Sequence, residues 1–121
     1  GGKVNRKAHR QAFRSALKAH VERGSIAVMQ PTGWDDPSTK RAAKYLAAAP
    51  DELAARPLLV VVTESSLPEA LSFRNMRDVR VLEARDIETV DIMAGRSMLV
   101  ERGVWDRWNG AATPSQDGDD A

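Results

Sequence analysis

Five consecutive apolar residues limit the possible folds of this chain more than any other stretch: Leu58-Leu59-Val60-Val61-Val62. The run has the length of a strand, and its side chains are apolar on both faces. Such a strand has to be covered from both sides, as happens in a parallel sheet with helices on each face. The remaining sequence is therefore expected to supply helices to both faces of a sheet.

The rest of the chain alternates between helical and strand patterns. We predict helices over residues 6–23, 37–49, 66–73, 86–94 and 102–109, and strands over residues 25–29, 58–62, 79–82 and 97–100. Strands that alternate with helical crossovers predict a three-layer α/β/α Rossmann-like domain with a four-stranded parallel sheet. We expect one globular domain over residues 1–110. Residues 111–121 are small, polar and acidic, and we expect them to form a disordered tail.

Two helix starts have recognisable sequence signals. Asp36 is predicted to cap the second helix, with Pro37 at its first position. Ser66 and Glu69 have the spacing of a capping box and are predicted to open the third helix. For the fourth helix, either Asp86 or Thr89 is the expected cap.

Composition excludes several kinds of site. The 121 residues contain no cysteine, which excludes disulfides, cysteine nucleophiles and zinc sites built on cysteine. No stretch has the apolar length of a membrane span, and the start lacks the apolar core of a signal peptide. We expect a soluble, cytoplasmic protein. His9 and His20 are about three helical turns apart, too far to share a metal ion.

The first helix is strongly basic, with no acidic residue before Glu22. At about 100° per residue its cations fall within about a third of the helix circumference. These cations are Lys3, Arg6, Lys7, Arg10, Arg14 and Lys18. The adjoining arc, expected to dock on the core, carries Ala12, Phe13, Ala16, Leu17 and His20. The cationic ridge is either a solvated helix face or a surface that binds a phosphate backbone.

Charge is polarised along the chain, although the net charge is only +1. Residues 1–44 hold ten Lys/Arg and three Asp/Glu, whereas residues 45–121 hold eight and fourteen. The two parts thus carry +7 and −6, which favours a positive face on the first elements. The second predicted helix adds three cations to this face: Lys40, Arg41 and Lys44.

A small-ligand or enzymatic site is a rival hypothesis, because open parallel sheets bind ligands at the carboxyl ends of their strands. Polar residues expected at that edge are Gln30, Thr63, Glu64, Ser65, Glu83 and Arg85. The sequence contains neither a G-x-G-x-x-G nor a G-x-x-x-x-G-K-[ST] phosphate-binding run, so this hypothesis is the weaker one.

The tryptophans allow two interpretations, packing and base stacking. Trp105 and Trp108 lie three residues apart on the last helix, which favours packing. Trp34, in a loop beside the second basic cluster, fits packing and base stacking equally well.

Several motifs, in their order along the chain, resemble the globular part of the bacterial large-subunit ribosomal protein four family. Residues 4–17, VNRKAHRQAFRSAL, resemble its N-[KR]-K-x-R-R-x-A-[LF]-[RK]-[SA]-A-L run, and Gly24-Ser25-Ile26 matches the strand that follows. Pro37-Ser38-Thr39-Lys40 resembles its P-[KS]-T-K helix start. Ser72-Phe73-Arg74-Asn75-Met76 resembles its S-x-R-N-[LI] turn. The resemblance covers about residues 3–109.

This resemblance implies an α/β/α fold and a structural, non-enzymatic role without a cofactor. The expected partners are large-subunit ribosomal RNA and neighbouring large-subunit ribosomal proteins, in a cytoplasmic ribosome, with a monomeric protein when isolated. The residues that match the family's basic motifs, and so would face RNA, are Arg6, Lys7, Arg10, Arg14, Lys40, Arg74 and Asn75. Arginines can clamp phosphates, whereas Asn75 either contacts RNA or holds its own turn.

The chain departs from the family pattern at its start. Family members begin with a further segment and a long basic loop that reaches toward the peptide exit tunnel. Only Gly1-Gly2-Lys3 precedes the first helix here, so we expect a fragment or an excised globular core, and assign it no tunnel function. A protein-interaction module that binds an acidic partner remains an alternative. RNA binding predicts a continuous cationic face joining the first helix to the Lys40–Lys44 helix.

Overall fold

The computed structural model describes the backbone of residues 6–110 and the side chains of residues 9–109. Its helices are α1 Arg6–Arg23, α2 Thr39–Ala47, α3 Leu67–Arg74, α4 Thr89–Ala94 and α5 Arg102–Gly110. Its strands are β1 Ile26–Met29, β2 Leu58–Val62, β3 Val79–Glu83 and β4 Ser97–Glu101. The predicted order of helices and strands is confirmed. The acidic tail, 111–121, lies outside the described residues. No helix within 6–110 is long and apolar enough to cross a membrane.

The described strands form one parallel sheet in the order β1-β4-β2-β3. The last strand of the chain therefore lies between the first two, where Leu99 of β4 is in register with Ala27 of β1 and Val60 of β2. The predicted α/β fold class with a four-stranded parallel sheet is confirmed.

Strand β2 supplies both hydrophobic cores. Leu58, Val60 and Val62 point into one core, which α2 and α3 cover, and all three are fully buried. Leu59 and Val61 point to the other side, where α1, α4 and α5 pack. The all-apolar composition of this strand thus has the cause predicted from sequence, since each of its faces is covered by helices.

The handedness of parallel crossovers explains how the helices are divided between the two faces. Successive parallel strands are connected in a right-handed sense. The chain moves in one direction from β1 to β2 and on to β3, so α2 and α3 lie on the same face. It then reverses direction to reach β4, and α4 accordingly lies on the opposite face.

The predicted cap of α2 is wrong by two residues. Helix α2 begins at Thr39, and Ser38 is its N-cap, with Ser38 Oγ accepting from the Arg41 N–H at 3.2 Å. The Asp36 carboxylate is instead paired with the Arg41 guanidinium at 3.4 Å. Ser38 is in an extended conformation, so the helix starts after it and Asp36 lies two residues before the N-cap position.

The predicted capping box of α3 is also wrong. Ser66 occupies the N-cap position, but its hydroxyl donates to the Glu101 carboxylate instead of capping the helix. The Glu69 carboxylate accepts a hydrogen bond from Thr32 Oγ1 at 2.6 Å. Both members of the expected box are thus engaged by residues distant in sequence, which a local motif does not reveal.

The cap of α4 is neither of the two residues expected from the sequence. Glu88 occupies the N-cap position, and its backbone N–H donates to Asp91 Oδ2 at 2.8 Å. Asp86 instead ends a short 3-10 turn, Ala84–Asp86, and Thr89 is the first residue of the helix.

Candidate nucleic-acid interface

Helix α1 is attached to the sheet by a narrow stripe of side chains. Phe13, Ala16 and Leu17 are half-buried against the second core, and His20 is 2% exposed. Ala12 was expected on the same arc but is exposed. At 100° per residue it lies about 90° from the centre of the stripe, too far round the helix to reach the sheet.

The predicted site residues of α1 whose side chains are described lie outside this buried stripe. Arg14 and Lys18 are exposed, and Arg10, nearer the stripe, is half-buried. Lys18 lies 4.0 Å from Glu22, but both side chains are largely exposed, so this pair holds the lysine only weakly. Three of the predicted site residues are not covered: Lys3 and the side chains of Arg6 and Lys7 lie outside the described residues.

The last helix packs against the basic half of α1. The Trp108 ring meets Phe13 edge-on, with ring centroids 5.3 Å apart and an angle of 80° between the planes. Trp105 and Trp108 both pack against the second core. The packing interpretation of these two tryptophans is confirmed, and the contact of Trp108 with Phe13 joins α5 to α1.

Helix α2 presents two of its three cations to solvent. Lys40 and Lys44 are exposed and lie one helical turn apart. Arg41 differs, because its guanidinium is ion-paired with Asp36 and lies 5.3 Å from the centre of the Trp34 ring. These contacts hold Arg41 against the loop before α2, and its role in RNA binding stays a prediction.

Trp34 belongs to an aromatic cluster within the first core. Its ring is stacked on Phe73 at 5.8 Å and meets Tyr45 edge-on at 6.4 Å. Of the two interpretations left open by the sequence, the structure supports packing. Burial in this cluster raises the pKa of the Tyr45 hydroxyl.

The predicted continuous cationic face is wrong, because α1 and α2 pack on opposite faces of the sheet. Arg74 and Asn75 lie at the end of α3, on the same face as α2, and both are exposed. The predicted basic site residues whose side chains are described therefore lie on two separate surfaces. We call Arg10, Arg14 and Lys18 the α1 ridge, and Lys40, Lys44 and Arg74 the α2–α3 surface.

Two features at the end of α3 were not resolved by the sequence. A backbone hydrogen bond from Met76 N–H to the Phe73 carbonyl oxygen, at 3.1 Å, closes the turn that Asn75 holds in one of its two interpretations. Arg77 is exposed three residues after Arg74. The sequence signal for Arg77 was its R-x-x-R spacing with Arg74.

At the carboxyl edge of the sheet, polar residues satisfy one another. The Glu101 carboxylate accepts from the Thr63 N–H at 2.8 Å and from Ser66 Oγ. The other candidates of this edge are similarly paired: Glu83 with Arg85 at 2.8 Å, Glu64 with Arg107 at 3.9 Å, Gln30 with Arg102 at 3.4 Å, and Ser65 with Thr63 at 3.1 Å. Glu101, absent from the predicted set, organises the edge, and its sequence signal was an acidic residue directly after an apolar strand.

These features define a three-layer α/β/α domain that presents cationic helices on both faces of its sheet. The chain belongs to the ribosomal protein L4/L1 family, which it matches over residues 1–111. It is 34% identical over 107 residues to the large ribosomal subunit protein uL4 of Rubrobacter xylanophilus. The match covers 88% of this chain and 49% of that protein.

Two other relatives show a similar match. The chain is 35% identical over 97 residues to the large ribosomal subunit protein uL4 of Geobacter sulfurreducens, covering 80% of this chain and 45% of that protein. It is 29% identical over 102 residues to the uL4 protein of Brevibacillus brevis, covering 84% and 48%. The chain thus spans about half the length of the curated relatives it matches.

Proposed function

We propose that this chain is a structural component of the large ribosomal subunit, binds large-subunit ribosomal RNA, and helps the subunit to assemble. The site of action would be the cytoplasmic ribosome, beside other large-subunit proteins, and no enzymatic reaction is involved. Family membership and relatives named as large ribosomal subunit proteins support this role.

The α1 ridge is the observation that carries the RNA-binding part of the proposal. Its cations stand on a helix whose other side is docked by Phe13, Leu17 and His20, so the backbone that bears them is held by the sheet. Cations on a fixed scaffold can contact phosphates without first being ordered, which lowers the entropic cost of binding.

The α2–α3 surface offers a second contact region. Because it lies across the sheet from the α1 ridge, a straight RNA helix docked on one surface does not reach the other. We infer that the two surfaces hold separate RNA segments. Bringing two segments together is the physical contribution that the domain would make to assembly.

The test is a double charge reversal on the α1 ridge, Arg10→Glu with Arg14→Glu. Binding of a transcript of the 5′ half of large-subunit RNA is titrated across a salt series, beside an unrelated structured RNA. We expect an intact fold by circular dichroism, weaker binding, and a log–log salt slope shallower by about 1.5, since two phosphate contacts are lost.

The matched control is Arg85→Glu with Arg102→Glu, which makes the same change in net charge at the carboxyl edge of the sheet. Both control arginines are exposed. Equal loss in both double variants would indicate a general charge effect. Unchanged affinity in a folded ridge variant would contradict the assignment of α1. Absence of RNA binding by the unmodified protein at low salt would instead favour the acidic protein partner.

A further inference from the structure

A hollow of about 430 Å³ lies between the first half of α1 and the start of α4. Its apolar lining is Phe13, Ile87 and Val90, and its polar lining is His9, Arg10, Glu88 and Thr89. This volume is within the range of roughly 300–1,000 Å³ that is usual for small-molecule sites. The hollow adjoins the α1 ridge, because Arg10 belongs to both.

The apolar lining combines a fixed aromatic ring with a side chain left in water. Phe13 is held by its edge-on contact with Trp108 at 5.3 Å. Val90, on the opposite side of the hollow, is 64% exposed. Folding gains little from an apolar side chain that remains this exposed, whereas a ligand that covered it would gain by burying it.

We propose that this hollow accepts one unpaired nucleotide of the bound RNA, an inference that rests on the proposed function. The base lies against Phe13, Ile87 and Val90, since aromatic and apolar side chains bind the faces of unstacked bases. Its phosphate lies toward the Arg10 guanidinium and the His9 ring, which provide charge and an N–H donor.

Glu88 narrows the choice of base. Its carboxylate lines the hollow on the α4 side and accepts hydrogen bonds only. Adenine, guanine and cytosine carry exocyclic amino groups that can donate to it, whereas the N3–H donor of uracil lies between two carbonyl oxygens that the carboxylate repels. The site therefore favours an amino-bearing base over uracil.

A second hollow lacks the two features that favour a nucleotide in the α1–α4 hollow. The amino edge of the sheet contains a hollow of about 510 Å³ in which Arg23 and Arg96 face Asp51 and Glu52. The exposed Met93 is its large apolar member, and its lining contains no aromatic side chain. The α1–α4 hollow differs in having an aromatic wall and direct continuity with the α1 ridge.

The first test uses adenosine 5′-monophosphate as the probe, with uridine 5′-monophosphate and ribose 5-phosphate as comparisons. Methyl NMR signals of Ile87 and Val90 are followed up to about 10 mM, because an isolated nucleotide is expected to bind only in the millimolar range. We expect saturable shifts with the adenine nucleotide, weaker ones with the uracil nucleotide, and none with ribose 5-phosphate. Equal shifts with all three, or no shifts, would overturn the proposal.

The second test is Val90→Glu in the RNA titration. The matched control is Leu67→Glu, which likewise places a glutamate at an exposed apolar residue, 61% exposed at the start of α3. Loss of one stacked base is expected to weaken binding of the 5′-half transcript by about tenfold, with less than a twofold change in the control. Equal affinities of the two variants would overturn the nucleotide site.

The two proposals fail in different ways. If the ridge double variant weakens RNA binding and Val90→Glu does not, the proposed function stands and the nucleotide site is rejected. If neither weakens RNA binding, the assignment of α1 and the nucleotide site both fail. The proposed function itself fails if the unmodified protein does not bind the transcript. If Val90→Glu prevents binding of a neighbouring ribosomal protein and leaves RNA affinity unchanged, the hollow is a protein-binding site and the inference is overturned.

Discussion

His20 Nε2 donates a hydrogen bond to the backbone carbonyl oxygen of Ile92 at 2.9 Å, joining α1 to α4 across 72 residues of sequence. Because a carbonyl oxygen only accepts, Nε2 carries the proton. Nδ1 is then an acceptor for Ser25 Oγ at 2.7 Å and for the Arg23 guanidinium at 3.1 Å. The buried imidazole thus connects the end of α1, the start of β1 and α4.

Replacing this imidazole is expected to lower the free energy of unfolding substantially. His20→Ala leaves a cavity and removes the donor from a buried carbonyl group, and we expect a loss of about 3 kcal/mol. Urea denaturation measures the change. The control is His9→Ala, the same substitution at an exposed position of the same helix, which is expected to be nearly neutral. Similar losses in both variants would contradict a special role for His20.

Replacing the carboxylate of Glu101, at the end of β4, is expected to lower the free energy of unfolding more than replacing that of Glu64, which is exposed just after β2. Glu101→Gln puts an amide where the Thr63 N–H and the Ser66 hydroxyl now donate to a carboxylate, at a cost of about 1.5 kcal/mol. Glu64→Gln breaks only a 3.9 Å exposed pair with Arg107 and should cost less than about 0.5 kcal/mol. Thermal unfolding compares the two variants, and equal losses would contradict this difference.

Two glycines are expected to respond oppositely to alanine. A Cβ at Gly95 would lie 3.2 Å from Leu59 Cβ and 3.3 Å from the Ser97 carbonyl oxygen, so Gly95→Ala should cost about 1–3 kcal/mol. At Gly103, in α5, the nearest atom is Thr63 Cγ2 at 3.4 Å, an ordinary contact. Gly103→Ala should therefore raise the free energy of unfolding by about 0.5 kcal/mol through helix propensity. Chemical denaturation should give opposite signs, and a stabilised Gly95→Ala variant would refute the packing argument.

Stability is expected to fall at alkaline pH partly because of Tyr45. Burial raises the pKa of this hydroxyl above its ordinary value of 10.0, so the unfolded chain releases the proton at lower pH than the folded protein. The stability that the Tyr45 hydroxyl contributes is fully present below its ordinary pKa of 10.0. It is lost as the pH rises through the raised pKa of the folded protein. Tyr45→Phe should keep the ring contact with Phe73 and weaken the alkaline fall in Tm, measured between about pH 8 and pH 11. Since Tyr45 is the one tyrosine in the chain, identical pH profiles would contradict this assignment.

Local patterns predicted the elements well and the hydrogen-bonding partners poorly. The strand Leu58–Val62 was predicted with the bounds it has in the structure, because an apolar run of that length depends little on distant residues. The capping roles predicted for Asp36 and Ser66 are wrong, because α2 begins only after Ser38 and because the Ser66 hydroxyl donates to Glu101. A capping residue has several partners within reach, and only the folded structure decides among them.

In the candidate site, too, local features could be predicted from the sequence and long-range contacts could not. The basic character of α1 and the exposure of Arg14 and Lys18 follow from helical spacing, which can be read without a structure. Their role in RNA binding stays a prediction, as does that of Lys40, Lys44, Arg74 and Asn75. The hollow beside Phe13 could not be predicted, because it requires Ile87 and Val90, more than seventy residues later, to be brought next to α1.

The sequence by itself determined the alternation of helices and strands, the parallel sheet covered on both faces, and the clustering of cations on the first two helices. Periodicity and apolar content are properties of short segments, so they can be read directly from the sequence. The tertiary structure decided that β4 inserts between β1 and β2 and that α1 and α2 lie on opposite faces. It did so because strand order, together with right-handed crossovers, assigns each helix to a face, and strand order depends on long-range packing that no local pattern encodes.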